Sequence, residues 1–194
     1  MPTLSVYRTV RQLGATKWWI KEVKADGTDL TPDADTFAQG WIRAEHEFSI
    51  SVRTETRADE GGNTHTLSGT REAKLTLTLA ENHAGVWNFA QDALLRGKYF
   101  AIVIQRVGPE RGGNHAGKYE YQFFPLCQLA GDISTRLPGT DLQLVFSVLP
   151  VPGDRSVTLN GTTLPGYEGA AGGTVTVATG GFASQIVEVN PSAS

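Results

Sequence analysis

The sequence predicts a mainly β protein carrying one α-helix, and three observations lead there. Residues 41–53 and 72–79 alternate apolar and polar side chains with period two, the repeat of a strand with one buried face. A clear helical stripe is found over residues 82–96. Only 19% of the 194 residues are charged and 22 are glycine, a balance that suits strands and turns. The 40% apolar share suffices for a core. A chain of this length also needs no metal or disulfide staple.

Taken in order, residues 1–35 read as an N-terminal arm with a short strand. Residues 3–10 alternate loosely, Trp18-Trp19-Ile20 is bulky and β-prone, and Asp26-Gly27 marks a turn. Pro32 punctuates a loop over 29–35. The long strand 41–53 follows. Ile42, Ala44, Phe48, Ile50 and Val52 point to one side, and Arg43, Glu45, Glu47, Ser49, Ser51 and Arg53 to the other. In strand 72–79, Ala73, Leu75, Leu77 and Leu79 oppose Glu72, Lys74, Thr76 and Thr78. The two read as antiparallel partners. Between them residues 57–70, including Arg57, Asp59, Glu60, Asn63, His65 and Thr70, form a polar tongue. This is either a long loop or an extended hairpin with Gly61-Gly62-Asn63 at its tip.

The helix 82–96 buries Val86, Phe89, Ala90, Ala93 and Leu94, spaced i, i+3, i+4, i+7 and i+8. Asn82 is its expected N-cap and Gly97 its terminating glycine after Arg96. Strand 99–107 is apolar on both faces, so it is either central and covered or lies in an interface. After a polar loop at 108–117, residues 118–126 place Tyr119, Tyr121 and Phe123 on one face. Residues 128–136 read as a short strand ending before Pro138-Gly139. Residues 141–149 turn Leu142, Leu144, Phe146 and Val148 inward. Beyond Pro150-Val151-Pro152-Gly153 only four charges occur, Asp154, Arg155, Glu168 and Glu188. The expected division is therefore 1–150 and 151–194, the latter a β appendage or an extended arm with short strands near 157–159, 174–177 and 185–189.

The formal net charge is −3, and no run of Lys or Arg occurs, which argues against tight gripping of nucleic acid. The N-terminus lacks the charged and apolar pattern of a signal peptide, and no apolar window reaches the ~20 residues of a membrane span. A cytoplasmic protein without membrane partners is expected. The single cysteine, Cys127, sits in an apolar run and reads as a small core residue. His46, His65, His83 and His115 lack metal-site spacing. Gly61-Gly62, Gly112-Gly113 and Gly172-Gly173 lack the form of a phosphate loop and read as turns. Glu45 and Glu47 stand ~7 Å apart on one strand face, near a glycosidase pair's separation. They flank Arg43, and an ordinary polar face is the better reading. The dispersed Trp18, Trp19, Trp41 and Trp87 read as core or interface anchors ahead of a sugar platform. No catalytic residue, metal or cofactor is expected.

Two long amphipathic strands with a projecting tongue, then one helix, then strands leading into a C-terminal extension: this layout resembles the tail-tube (major tail) proteins of long-tailed phages. Those proteins are similar in fold to the tubes of contractile tails and of type VI secretion. The likeness rests on residues 41–53, 57–70, 72–79 and 82–96, and on the closing stretch Gly131-Asp132-Ile133-Ser134 to Val148. It implies an antiparallel β-sandwich or barrel of the tail-tube type, with the long strands of six copies closing one inter-subunit barrel. Stacked hexameric rings would form the conduit for DNA in the virion tail, assembled in the host cytoplasm. The polar strand face (Arg43, Glu45, Glu47, Ser49, Ser51, Arg53, Lys74, Thr76, Thr78) would line the lumen, and the tongue would reach between rings. Tail-tip or baseplate, tape-measure and terminator proteins would be partners. A carbohydrate- or surface-binding β-sandwich is the alternative reading.

Overall fold

The computed structural model describes residues 16–30, 37–42, 46–79, 84–107, 117–131 and 142–192. The fold is mainly β with one helix, and its sheets are antiparallel. The strands are β1 (Thr16–Val23), β2 (Ala38–Ile42), β3 (Glu47–Ala58), β4 (Thr64–Leu79), β5 (Tyr99–Val107), β6 (Tyr119–Leu129), β7 (Leu142–Val148), β8 (Arg155–Leu159), β9 (Gly173–Val177) and β10 (Val187–Val189). The helix α1 spans Ala84–Arg96. The expected alternation at 3–10, the N-cap Asn82, His83, His115 and most of the segment 128–141 lie outside the described residues.

Eight strands join one sheet in the order β10-β6-β5-β1-β2-β4-β3, with β7 pairing both β4 and β6. The pairings therefore run in a circuit, β6–β5–β1–β2–β4–β7 and back to β6. Among the described residues the link between β2 and β4 is a single facing pair, Ile42 and Leu79, and the sheet is not closed there.

Period-two alternation decides what fills the two sides. Phe100, Ile102 and Ile104 of β5 join Leu75, Leu77, Phe124, Leu144 and Phe146 in the inner core. Ala101 and Val103 point the other way, into a second core with Trp19, Tyr121 and Phe123. The strand expected to be apolar on both faces is thus central and covered twice. Adjacent tryptophans separate accordingly: Trp18 faces the inner core and Trp19 the outer.

The outer core is completed by the C-terminal residues. Val151, Val157, Leu159, Leu164, Val175, Val177 and Val189 pack on Trp19, Val103 and Tyr121. β8 and β9 form their own two-stranded sheet. β10 adds to the edge of β6 through Val187–Tyr121, Glu188–Glu120 and Val189–Tyr119. Polar links reinforce the layer. The Trp19 indole N–H donates to Pro165 O (2.8 Å), and Lys17 Nζ donates to Gly166 O (2.9 Å) and to Glu168. Ser184 N–H donates to Phe123 O, and the Phe123 N–H returns to Ser184 Oγ, both at 2.8 Å.

The helix lays Phe89, Ala90 and Ala93 on the inner core, with the Phe89 ring 5.3 Å from that of Phe100. It ends as expected: Gly97 takes φ 60°, Lys98 N–H donates to Ala93 O and Gly97 N–H to Leu94 O. The expected stripe needs one correction. Leu94 is exposed, because i+8 falls about 80° round the helix from the position that begins the stripe. The Val86 side chain lies outside the described ones.

Of the two readings open for residues 57–70 the extended hairpin holds, since β3 continues to Ala58 and β4 begins at Thr64, with Gly61-Gly62-Asn63 in the turn. Of the strand expected over 41–53, β2 ends at Ile42 and β3 starts at Glu47, with residues 43–45 between them outside the described residues. One strand expectation changes. Gln128 and Leu129 belong to the end of β6, paired with Ser147 and Phe146, and do not open a new strand.

Because the C-terminal layer covers apolar residues of β1, β5 and β6, removing residues 151–194 strips the outer core. The truncated chain is expected to lose cooperative unfolding and bind hydrophobic dye, whereas the full chain melts in one transition. Calorimetry of the two proteins checks this, and a truncated chain that melts cooperatively refutes it.

Candidate assembly site

The feature that departs most from an ordinary closed domain is the β3–β4 hairpin. β4 runs for 16 residues and β3 for 12. From Ala73 to Leu79, β4 has β7 along its second edge. From Thr64 to Glu72 it pairs, among the described residues, with β3 alone. The outer edge of β3 has no partner strand among the described residues. The distal hairpin is therefore a two-stranded ribbon projecting beyond the sheet, its described side chains exposed on both faces.

Cross-strand register sorts the ribbon into two faces. One carries Phe48, Ile50 and Val52 opposite Leu75, Ala73 and Arg71. It begins as core: the Phe48 ring meets Phe124 edge-on at 5.0 Å. It then runs out past the end of the domain. Ile50 is 54% exposed and Val52 44%, correcting the expectation that both point into the core, because none of the described elements lies over this part of β3. The face was read correctly as a period-two series, but among the described residues nothing covers it.

The other face carries the residues expected to be polar. Glu47 faces Thr76, Ser49 faces Lys74, and Ser51 faces Glu72. Thr78 continues the series opposite Gln143 of β7, whose amide donates to the Thr78 hydroxyl (3.4 Å). Arg53 stands exposed further out. Seven of the nine candidate residues thus share one polar surface, while Arg43 and Glu45 lie outside the described residues. Charge on this surface is mixed, Glu47 and Glu72 against Arg53 and Lys74.

A bulge re-aims the ribbon halfway along. Val52 faces Arg71 and Thr54 faces Ser68, so Gly69 and Thr70 together oppose Arg53. A Cβ on Gly69 would lie 2.5 Å from the Arg53 carbonyl oxygen, so only glycine lets the backbones approach here. Beyond the bulge Arg57 pairs with His65 and Ala58 with Thr64.

Asp59 builds the tip. The Gly62 N–H donates to Asp59 O (3.0 Å), and the Asp59 N–H to Asn63 O (2.9 Å). Its carboxylate accepts from the Gly61 N–H (2.9 Å), the Asn63 N–H (2.8 Å) and Asn63 Nδ2 (3.2 Å), and contacts His65 Nε2 at 3.0 Å. These bonds, the His65 contact foremost, hold the Asp59 carboxyl below its usual value. Of the expected tongue residues, Asp59, Glu60 and Asn63 make the turn, Arg57 and His65 face each other beside it, and Thr70 sits in the bulge. Sequence reasoning missed the roles of Asp59 and Gly69. The available signals were Asp59-Glu60-Gly61-Gly62-Asn63 between β-prone runs, and a glycine inside a strand pattern.

Elsewhere the candidates for chemistry are placed without a site. Cys127 is fully buried in the inner core, and that burial pushes its thiol pKa up, so it stays a thiol. Trp18 and Trp19 are buried anchors. Among the described residues no group of three or more His, Cys, Asp or Glu side chains is placed to hold a metal, and no helix is long and apolar enough to cross a membrane.

No protein-family model matches the chain, and no curated protein sequence matches it either. The candidate site rests on its geometry.

Two outcomes follow for the ribbon. Gly69→Ala is expected to shift the register beyond the bulge and destabilise the hairpin by about 1 kcal/mol or more, read from cross-strand nuclear Overhauser contacts at Thr54–Ser68 and from the unfolding midpoint. Unaltered contacts would show the bulge to be dispensable. Because Asp59 titrates below its ordinary value of 3.8, its ordering of the tip is fully present above that pH and is lost as pH falls through the lowered value. The amide shifts of Gly61 and Asn63 should report this acid transition, and Asp59→Asn should abolish it.

Proposed function

We propose that this chain is a structural, non-catalytic virion protein whose copies assemble side by side into stacked rings, the tail tube of a long-tailed phage. One observation carries the reading: the projecting β3–β4 ribbon, whose outer edges have no partner strand among the described residues and which exposes Ile50 and Val52 on the face continuous with the core. Long unpaired edges invite pairing with another chain, and soluble proteins normally shorten, charge or cover them. A ring of copies, β3 of one beside the distal β4 of the next, satisfies both edges at once and covers the apolar stripe. Six copies, as the resemblance implies, would close a barrel in which every edge is paired.

The polar surface then faces the lumen. Its mixed charges suit a conduit, since a basic lining would retain DNA by neutralising phosphates. The C-terminal layer lies on the outer face of β1, β5 and β6, away from that surface, and so leaves it bare. The braced tip around Asp59 is the natural reach of the ribbon toward a neighbouring ring.

Negative-stain electron microscopy beside light-scattering mass tests the reading. Rings or tubes with a central hole are expected. A clean 20.9 kDa monomer at high concentration that binds a sugar saturably would replace it with the carbohydrate-binding alternative. Replacing residues 55–67 by Asn-Gly, which keeps the Thr54–Ser68 pair as a short hairpin, is expected to leave the monomer folded and to abolish assembly. Long tubes from that variant would overturn the role given to the ribbon.

A further inference from the structure

The outer core contains two polar atoms with no partner. Gln105 on β5 and Tyr121 on β6 face each other in register, on the side covered by the C-terminal layer. Gln105 is 6% exposed and Tyr121 1%. Neither Gln105 Oε1 nor the Tyr121 hydroxyl makes a hydrogen bond. The backbone of Glu168 faces the phenol oxygen without completing one. The surroundings are closed by aromatic rings, Tyr167 at 5.0 Å and Trp19 at 6.0 Å from the Tyr121 ring, and beside them Lys17 is held by Gly166 O and Glu168.

Buried polar groups in folded proteins are almost always paired, and leaving one unpaired costs about 1–3 kcal/mol. Here an acceptor and a hydroxyl stand on adjacent strands, both orphaned, on one face and under one roof. The two lack different things: Gln105 Oε1 needs a donor, and the Tyr121 O–H needs an acceptor. One water molecule supplies both. Proteins hold about one buried water per 27 residues, at sites of this kind.

We infer that a buried water molecule occupies this site, donating one O–H to Gln105 Oε1 and accepting the Tyr121 O–H proton. It joins β5 to β6 through their side chains beneath residues 166–168. The inference is independent of assembly.

A density map of the full chain at a resolution that resolves ordered waters tests it directly. A single peak within hydrogen-bonding distance of both Gln105 Oε1 and the Tyr121 oxygen is expected. An empty site, or the two side chains bonded directly to each other, overturns it. Denaturant unfolding of Gln105→Met, Tyr121→Phe and the double variant gives a second test. Each single change is expected to lower the midpoint, and the double change to lower it no further than the worse single one, since one shared water is lost in each. Additive shifts, or a Tyr121→Phe midpoint equal to or above that of the unaltered protein, would refute the bridge.

Discussion

Everything in this molecule answers to a strand that is apolar on both sides. Phe100, Ile102 and Ile104 require one covering layer, and Ala101 and Val103 require another. The first is met by curling the remaining strands round β5 until β4, β7 and α1 lie against its inner face. The second cannot be met by the same strands, so the chain returns after Pro150 and lays residues 151–189 over the outside. The C-terminal layer is in this sense a consequence of β5. Its low charge follows too, because a layer with one face on Trp19 and Tyr121 has little room for ionised groups.

How much of this could be read beforehand depended on whether the deciding contact was local. The two-sided strand, the inward series Leu142, Leu144, Phe146 and Val148, and the helix end at Gly97 are written in neighbouring residues, and all three appear where periodicity puts them. The failures are of another kind. Alternation through Ile50 and Val52 looks the same whether a layer covers it or not, because cover is a tertiary fact. Between 57 and 70 hairpin and loop both stay open in the sequence, because Thr, Arg and Gly suit either. The hairpin's identity comes from cross-strand pairing and from one carboxylate that organises five residues of turn. The seven described polar residues of β3 and β4 were grouped correctly, since sharing a face needs only period two. What that face meets is written nowhere in the period.

The outer surface of the sheet is divided as a result. Over β1, β5 and β6 it is roofed, aromatic and tied down by Lys17 and Trp19. Over β3, β4 and β7 it is bare, hydroxyl-rich and of mixed charge. The reading as an assembling subunit rests on this division. One half of the surface is spent on the chain's own second layer, and the other keeps a continuous polar strip and edges that no described strand pairs.

The narrow link between β2 and β4 gives the fold a mechanical character. Among the described residues, five of the six joints in the circuit are ladders of several residues, and the sixth is the single pair Ile42 and Leu79. A sheet whose described strands are joined by ladders at every link but one is weakest at that link. Parting there costs one facing pair and leaves every other described ladder intact. The long hairpin is rooted beside this weakest link, with its first facing pair, Glu47 and Thr76, three residues along β4 from Leu79.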